Sequence, residues 1–247
     1  MFRISASRRL FSNTLVFSMV PVPGNALRFK RSLLKWFRGN GRSLPWRETR
    51  DPYRVVVSEF MLQQTQVNRV LEYYPRFLRR FPTLDALARA RPAAVREAWE
   101  GLGYYRRAEN LHRMARTVVR DHGGAIPADP AELEKLPGVG RYTAGAVAAF
   151  AYERRAAAVD TNVARVLRRV FGADKAVKAD KAVKADRRVW DLAARLLPRS
   201  RTVAWEFNQA LMDLGARICV ARKPRCPECP VRAACRTGSR RTRTGPP

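Results

Sequence analysis

All four cysteines of this chain fall in one short stretch, CVARKPRCPECPVRAAC, as Cys219, Cys226, Cys229 and Cys235. The spacing C-x6-C-x2-C-x5-C offers four thiolates to one centre, and on spacing alone it suits a [4Fe-4S] cluster and a structural zinc about equally. Disulfides fit it poorly, because secreted disulfide scaffolds scatter their cysteines more widely. Pro224, Pro227 and Pro230 interrupt any helix here, so the stretch reads as a wrapping loop. Arg222, Lys223 and Arg225 give that loop three cations suited to a phosphate.

A second stretch, LPGVGRYTAGAVAAF at residues 136–150, sets Gly138 and Gly140 one residue apart around Val139. A dinucleotide cradle needs a preceding strand, a third glycine in register and an acidic residue about 20 positions on. Here the preceding PADPAELEKL reads as a helix capped by Asp129, with Pro130 at its first position. Helix, tight hairpin, helix is a shape whose backbone amides can face a DNA phosphate. Two carboxylates are candidates for acid–base or charge-stabilising work. Glu59 reads as lying in the first turn of a helix that continues through Met61, Leu62, Val67 and Val70, where the helix dipole favours a negative charge. Asp160 heads TNVARVLRRVF and suits an N-cap. His112 and His122 match no catalytic pattern and are expected at the surface.

The elements that must position these residues are helices. Apolar residues recur at three- and four-residue steps in 104–122 (Ala108, Leu111, Ala115, Val118) and in 204–218 (Phe207, Leu211, Leu214, Ile218), with almost no strand-like alternation. The fold class is all-α. Of the 247 residues 46% are hydrophobic, enough for one large core or two modest ones. Lys and Arg number 49 against 21 Asp and Glu, a formal charge of +28 that calls for a polyanionic partner, nucleic acid before membrane. No apolar run reaches the 18 or more residues of a membrane span. Residues 1–25 are basic and free of acids, and read as a disordered or targeting-like extension. KAVKADKAVKAD at 175–186 is a tandem hexapeptide with the composition of an exposed linker or helix extension. Residues 237–247 read as a basic tail.

Five stretches, SEFMLQQTQV (58–67), GLGYY (101–105), LPGVGRYTAGA (136–146), VDTNVARVL (159–167) and the cysteine loop, occur here in the order found in helix-hairpin-helix DNA glycosylases. The chain resembles, more narrowly, the adenine DNA glycosylases of the MutY family, from about Leu44 to Cys235. The resemblance implies a [4Fe-4S] cluster on the four cysteines and two helical lobes with the DNA between them. One is a six-helix barrel at 51–157 with the hairpin at 136–146; the other is a cluster lobe built from 26–50 and 158–236. It places Glu59 as general acid, Asp160 as stabiliser of an oxocarbenium-like sugar, and Asn162 beside them. Tyr142 stands where bifunctional relatives carry a lysine, so a monofunctional hydrolase is expected, because only an amine forms the Schiff base of strand cleavage. By the same resemblance Gln63, Gln64 and Tyr104 probe or intercalate at the mispair, and Arg42, Leu44, Trp46 and Arg47 line the base pocket. Gly138, Val139 and Gly140 hold a DNA phosphate, and hairpin carbonyls can hold a cation. The implied substrate is adenine opposite guanine or 8-oxoguanine in duplex DNA, handled by a cytoplasmic monomer in base excision repair. The sequence ends soon after Cys235, so the NUDIX-like domain of typical adenine enzymes is expected to be absent. Thymine or uracil glycosylases of T:G and U:G mispairs form one alternative, and a non-catalytic iron–sulfur DNA-binding protein another.

Overall fold

The computed structural model describes residues 23–172 and 179–240. Most of the 1–25 extension, the first part of the hexapeptide repeat and most of the basic tail lie outside the described residues. Among those described, every regular element is helical. The helices are α1 (Ala26–Asn40), α2 (Pro52–Leu62), α3 (Val67–Arg80), α4 (Leu84–Arg89), α5 (Pro92–Ala98), α6 (Arg106–Asp121), α7 (Pro130–Leu133), α8 (Arg141–Phe150), α9 (Thr161–Phe171), α10 (Ala179–Leu196), α11 (Arg201–Arg217) and α12 (Arg236–Arg240). Single 3-10 turns lie at Pro45–Arg47 and Arg232–Ala234.

Start signals in the sequence set many of these boundaries. Asp51 caps α2, accepting from the amides of Tyr53 and Arg54, with Pro52 at the first position. Asp129 caps α7 through Ala131, Ser200 caps α11 through Val203, and Gly172 closes α9 in the left-handed conformation. The expected helix through Glu59, Leu62, Val67 and Val70 is in fact two. Its real start is the Asp51–Pro52 cap, and a turn at Gln63–Gln66 separates α2 from α3. Glu59 therefore lies near the C-terminal end of α2, where the helix dipole opposes a carboxylate.

Two clusters of buried apolar side chains organise the helices. One gathers α2 to α8 around Phe60, Phe77, Trp99, Leu111 and Met114; the other joins α1 to α9, α10 and α11 around Phe29, Leu167, Phe207 and Leu214. Leu44 and Trp46 pack into the first cluster, Trp46 edge-on to Tyr74. The chain crosses between the clusters at Ala156–Ala158, and buried Asn208 of α11 pins that crossing. Its Oδ1 accepts from the Ala158 amide at 3.2 Å and its Nδ2 donates to the Ala156 carbonyl at 3.0 Å. Against expectation His112 is buried, on the inner face of α6, and burial lowers its pKa, which keeps the ring neutral in the core. No helix among the described residues is long and apolar enough to cross a membrane.

Candidate active site

The crossing brings Glu59 from the end of α2, Tyr142 from α8, Asp160 at the cap of α9 and Arg47 from the 3-10 turn to one place at the junction of the two clusters. Glu59 is 4% exposed. Burial drives its pKa up to about 7; the phenol of Tyr142, donating to it, and the charge of Arg47 oppose the rise, while Asp160 adds to it. One oxygen, Oε2, has no hydrogen-bond partner. A carboxyl group in this setting is half protonated near neutrality and keeps one oxygen free to give a proton to, or take one from, a bound molecule. Tyr142 is forced by burial, and by the carboxylates beside it, well above the ordinary phenol range, so it remains a neutral donor.

Asp160 is held as an N-cap should be. Its Oδ1 accepts from the Val163 amide at 2.6 Å and its Oδ2 from Asn162 Nδ2 at 2.8 Å. Asn162 Oδ1 in turn accepts from Arg165 Nη2 at 2.7 Å, and Arg165 also reaches the carbonyls of Gly215 and Cys219, each at 2.8 Å. A continuous chain of hydrogen bonds thus runs from the cysteine loop to Asp160.

Arg47 is held from the other side by Asp213, which is fully buried on α11. Asp213 accepts from the backbone, Nε and Nη2 of Arg42 and from Nη1 and Nη2 of Arg47, at 2.7 to 3.2 Å. These charges more than offset its desolvation and hold its pKa below the usual carboxylate range. Nothing in the sequence singled out Asp213, Arg165 or Asn208. Their signal is the same in each case: a polar residue that helical periodicity places against buried neighbours.

Gln63 and Gln64 form the turn after α2, and Tyr104 ends the turn before α6. Tyr104 is 60% exposed, and both Gln64 (φ 56°) and Tyr104 (φ 49°) adopt the left-handed conformation that non-glycine residues seldom take. At the hairpin, Gly138 has φ 76°, and a Cβ there would stand 2.6 Å from Asn110 Cβ and 2.9 Å from Phe60 Cε1. Only glycine fits. Gly140 caps α8, and Val139 is buried beneath the turn.

Cys219, Cys226, Cys229 and Cys235 line one cavity whose walls are Val166, Val170, Leu214, Ile218 and Val231. The Gly238 amide donates to Cys235 Sγ at 3.3 Å, and Arg169 Nη1 approaches Cys219 Sγ at 3.5 Å. Donors aimed at sulfur suit metal-bound thiolates, whereas without a metal burial and the neighbouring sulfurs push the Cys229 thiol up to about 11. Among the described residues no three His, Cys, Asp or Glu side chains are disposed to hold a single metal ion.

Residues 57–192 match the family described as HhH-GPD superfamily base excision DNA repair protein. The chain is 49% identical to the adenine DNA glycosylase of Mycobacterium tuberculosis over 81% of its own length and 64% of that protein's. It is 44% identical to the adenine DNA glycosylase of Rattus norvegicus over 86% of its own length and 42% of that protein's. It therefore spans less than two thirds of these relatives. A solved thermostable thymine-DNA glycosylase superposes with a TM-score of 0.78 at 32% identity, over 87% of this chain and 97% of that one. By family match, fold and the placement of its hairpin, the chain belongs to the HhH-GPD superfamily of base excision DNA repair proteins.

Proposed function

We propose that this protein is a monofunctional DNA glycosylase that hydrolyses the N-glycosidic bond of adenine mispaired with guanine or 8-oxoguanine. The observation that carries this reading is Glu59: a buried carboxyl group at about 7, with one free oxygen, hydrogen-bonded to a tyrosine rather than flanked by an amine. Adenine leaves poorly as an anion and far better once N7 is protonated, so neutral Glu59 serves as the general acid. As the bond breaks, positive charge grows on the sugar. Asp160, fixed by Val163 and Asn162, faces that charge and stabilises it. Glu59, now ionised, takes the proton of the attacking water. Tyr142 donates to Glu59 and offers no nucleophilic nitrogen, so no Schiff base and no strand cleavage follow.

Mispaired duplex DNA is the partner that the charge of +28 and the glycine hairpin support. Gly138, Val139 and Gly140 take a phosphate; Gln63, Gln64 and Tyr104 enter the stack; Arg42, Leu44, Trp46 and Arg47 form the wall behind the extruded base. The barrel lobe at 51–157 and the cluster lobe at 26–50 plus 158–236 close on the DNA from two sides. Cys219, Cys226, Cys229 and Cys235 hold a [4Fe-4S] cluster. A single cavity lined by all four supports one shared centre. When bound, the cluster supplies iron–thiolate bonds that brace the loop against α9 and α11.

Thymine removal from T:G mispairs is the second reading, favoured by the solved thymine-DNA glycosylase, of which the chain covers 97%. Base release from duplexes carrying A:8-oxoguanine, A:G, T:G and U:G, read by alkali cleavage, separates the two. Release of adenine is expected, without strand cleavage before alkali; release of thymine in its place overturns the proposal.

A further inference from the structure

We infer that Arg107 is a positioning residue for excision: its buried guanidinium locks the turn after α2 and the turn before α6 in one register, so that Gln64 and Tyr104 meet the DNA as a single rigid wedge. The inference rests on the excision reading above.

Arg107 stands in the first turn of α6 and is 7% exposed. Nη1 donates to the carbonyls of Phe60 (3.1 Å), Met61 (2.7 Å) and Gln63. Nη2 donates to those of Leu102 (3.2 Å) and Gly103 (3.0 Å). One planar group thus spans two segments forty residues apart in the chain. The guanidinium also lies 5.5 Å from the ring centroids of Trp99 and Tyr104. Carbonyl dipoles, the negative end of α2 and two ring faces supply the counter-charge that keeps a cation in this place.

The carbonyls Arg107 takes from α2 belong to its last turn and the residue after it, where a helix leaves its acceptors unsatisfied. Glycine commonly closes such an end by turning left-handed. Here the left-handed residue is Gln64, and its counterpart across the clamp is Tyr104. Non-glycine residues hold that conformation where their surroundings over-determine it, and Arg107 bonds beside both. The second turn is also gripped at its far end. Arg69 Nη2 reaches the Gly101 carbonyl at 3.1 Å, and Gly101, at φ 89°, has Tyr73 Oη where a Cβ would stand. The result is a largely exposed aromatic ring on a rigid base, the shape needed to hold a gap open in stacked bases. Glu59 shares the last turn of α2 with Phe60 and Met61, so the clamp also sets the height of the catalytic carboxyl.

The test uses a duplex with 2-aminopurine beside an adenine opposite 8-oxoguanine, bound by protein carrying Glu59→Gln so that unstacking is seen without excision. Adding Arg107→Lys keeps the charge but cannot bridge two carbonyl sets. The fluorescence rise on binding is expected to fall about tenfold while duplex affinity changes by less than about threefold. Undiminished fluorescence overturns the inference. A cycle of Gln64→Ala and Tyr104→Ala with Arg107 intact leaves the buried clamp untouched and judges the same point if Arg107→Lys does not fold. The two losses are expected to be non-additive by about fivefold or more, and additive losses overturn the inference. Unstacking is read apart from base release, so a wild-type protein that unstacks the DNA yet frees no adenine refutes the excision reading and leaves Arg107 to be judged on the fluorescence.

Discussion

Asp213 and Glu59 are two carboxylates buried at the same junction, both within reach of Arg47, and they have opposite fates. Asp213 accepts five hydrogen bonds from two arginines and its pKa falls. Glu59 accepts from one phenol, keeps one oxygen bare and rises to about 7. Desolvation acts on both in the same direction, so the donors decide the sign. The saturated carboxylate is structural: it fixes Arg47 and the turn before α2. The under-satisfied one is the group that can exchange a proton at neutral pH. Arg47 joins the two, spending its fork on Asp213 and leaving only its field to Glu59.

Removing Asp213 is the hardest way to break the contrast. Asp213→Ala leaves the Arg42 and Arg47 guanidiniums with no buried counter-charge, a change that costs about 3–5 kcal/mol when one partner of a buried pair is deleted. Chemical denaturation is expected to show that loss, with excision failing alongside it. Glu59→Gln, by contrast, removes an acid rather than a support. Adenine release should fall by about a thousandfold or more, equivalent to ~4 kcal/mol of barrier, while duplex affinity and folding persist. Excision that survives this change sinks the mechanism.

Glu59→Gln also has a consequence for stability, with a definite sign. An unfolded glutamate ionises near 4.5 and folded Glu59 near 7. Below about pH 4.5 both states hold the proton and burial of the side chain carries no charge penalty. Between 4.5 and 7 the unfolded chain ionises first, so the folded state loses ground, by about 3 kcal/mol in all. The glutamine variant does not titrate. Its stability relative to wild type should therefore rise from pH 4 to pH 8 by about that amount, and two parallel curves would show that Glu59 is not perturbed. In the wild type, a rate limited by neutral Glu59 should fall as pH rises through about 7.

The same contrast explains which parts were legible in the sequence. Caps are local chemistry, so Asp129–Pro130, the Asp160 cap and the glycine hairpin could be read from a few adjacent residues. The cysteine loop was equally plain because its residues are close in the chain. Glu59 stands out by motif, but the end of its helix does not: apolar spacing runs on from Leu62 to Val67, and the intervening turn carries no glycine or proline to mark it. Its left-handed residue is Gln64, held by Arg107 from forty residues away. Asp213, Asn208 and Arg165 carry no mark in the sequence for a related reason. Each satisfies groups far along the chain that only the packing of helices brings near, and a polar residue inside a helical stretch looks the same whether it meets water or a buried arginine. His112, expected outside, is buried because α6 is wrapped more fully than its apolar stripe implies.

Asp160 lies between the two extremes and gives the smallest and most informative test. It accepts two hydrogen bonds, one from the Val163 amide and one from Asn162, and the second is the only one a side-chain substitution can remove cleanly. Asn162→Ala deletes that bond and leaves Arg165 with its two backbone carbonyls, so the cap and the cysteine loop stay in place. A hydrogen bond to a charged group contributes about 1.5 kcal/mol or somewhat more. If that bond aims Asp160 at the sugar, single-turnover excision should drop roughly tenfold with duplex affinity unchanged. If it only supports the cap, denaturant stability should fall by the same energy while the rate holds. The direction of that split decides whether Asp160 belongs with Asp213, as a carboxylate whose donors serve the fold, or with Glu59, as one whose environment serves the reaction.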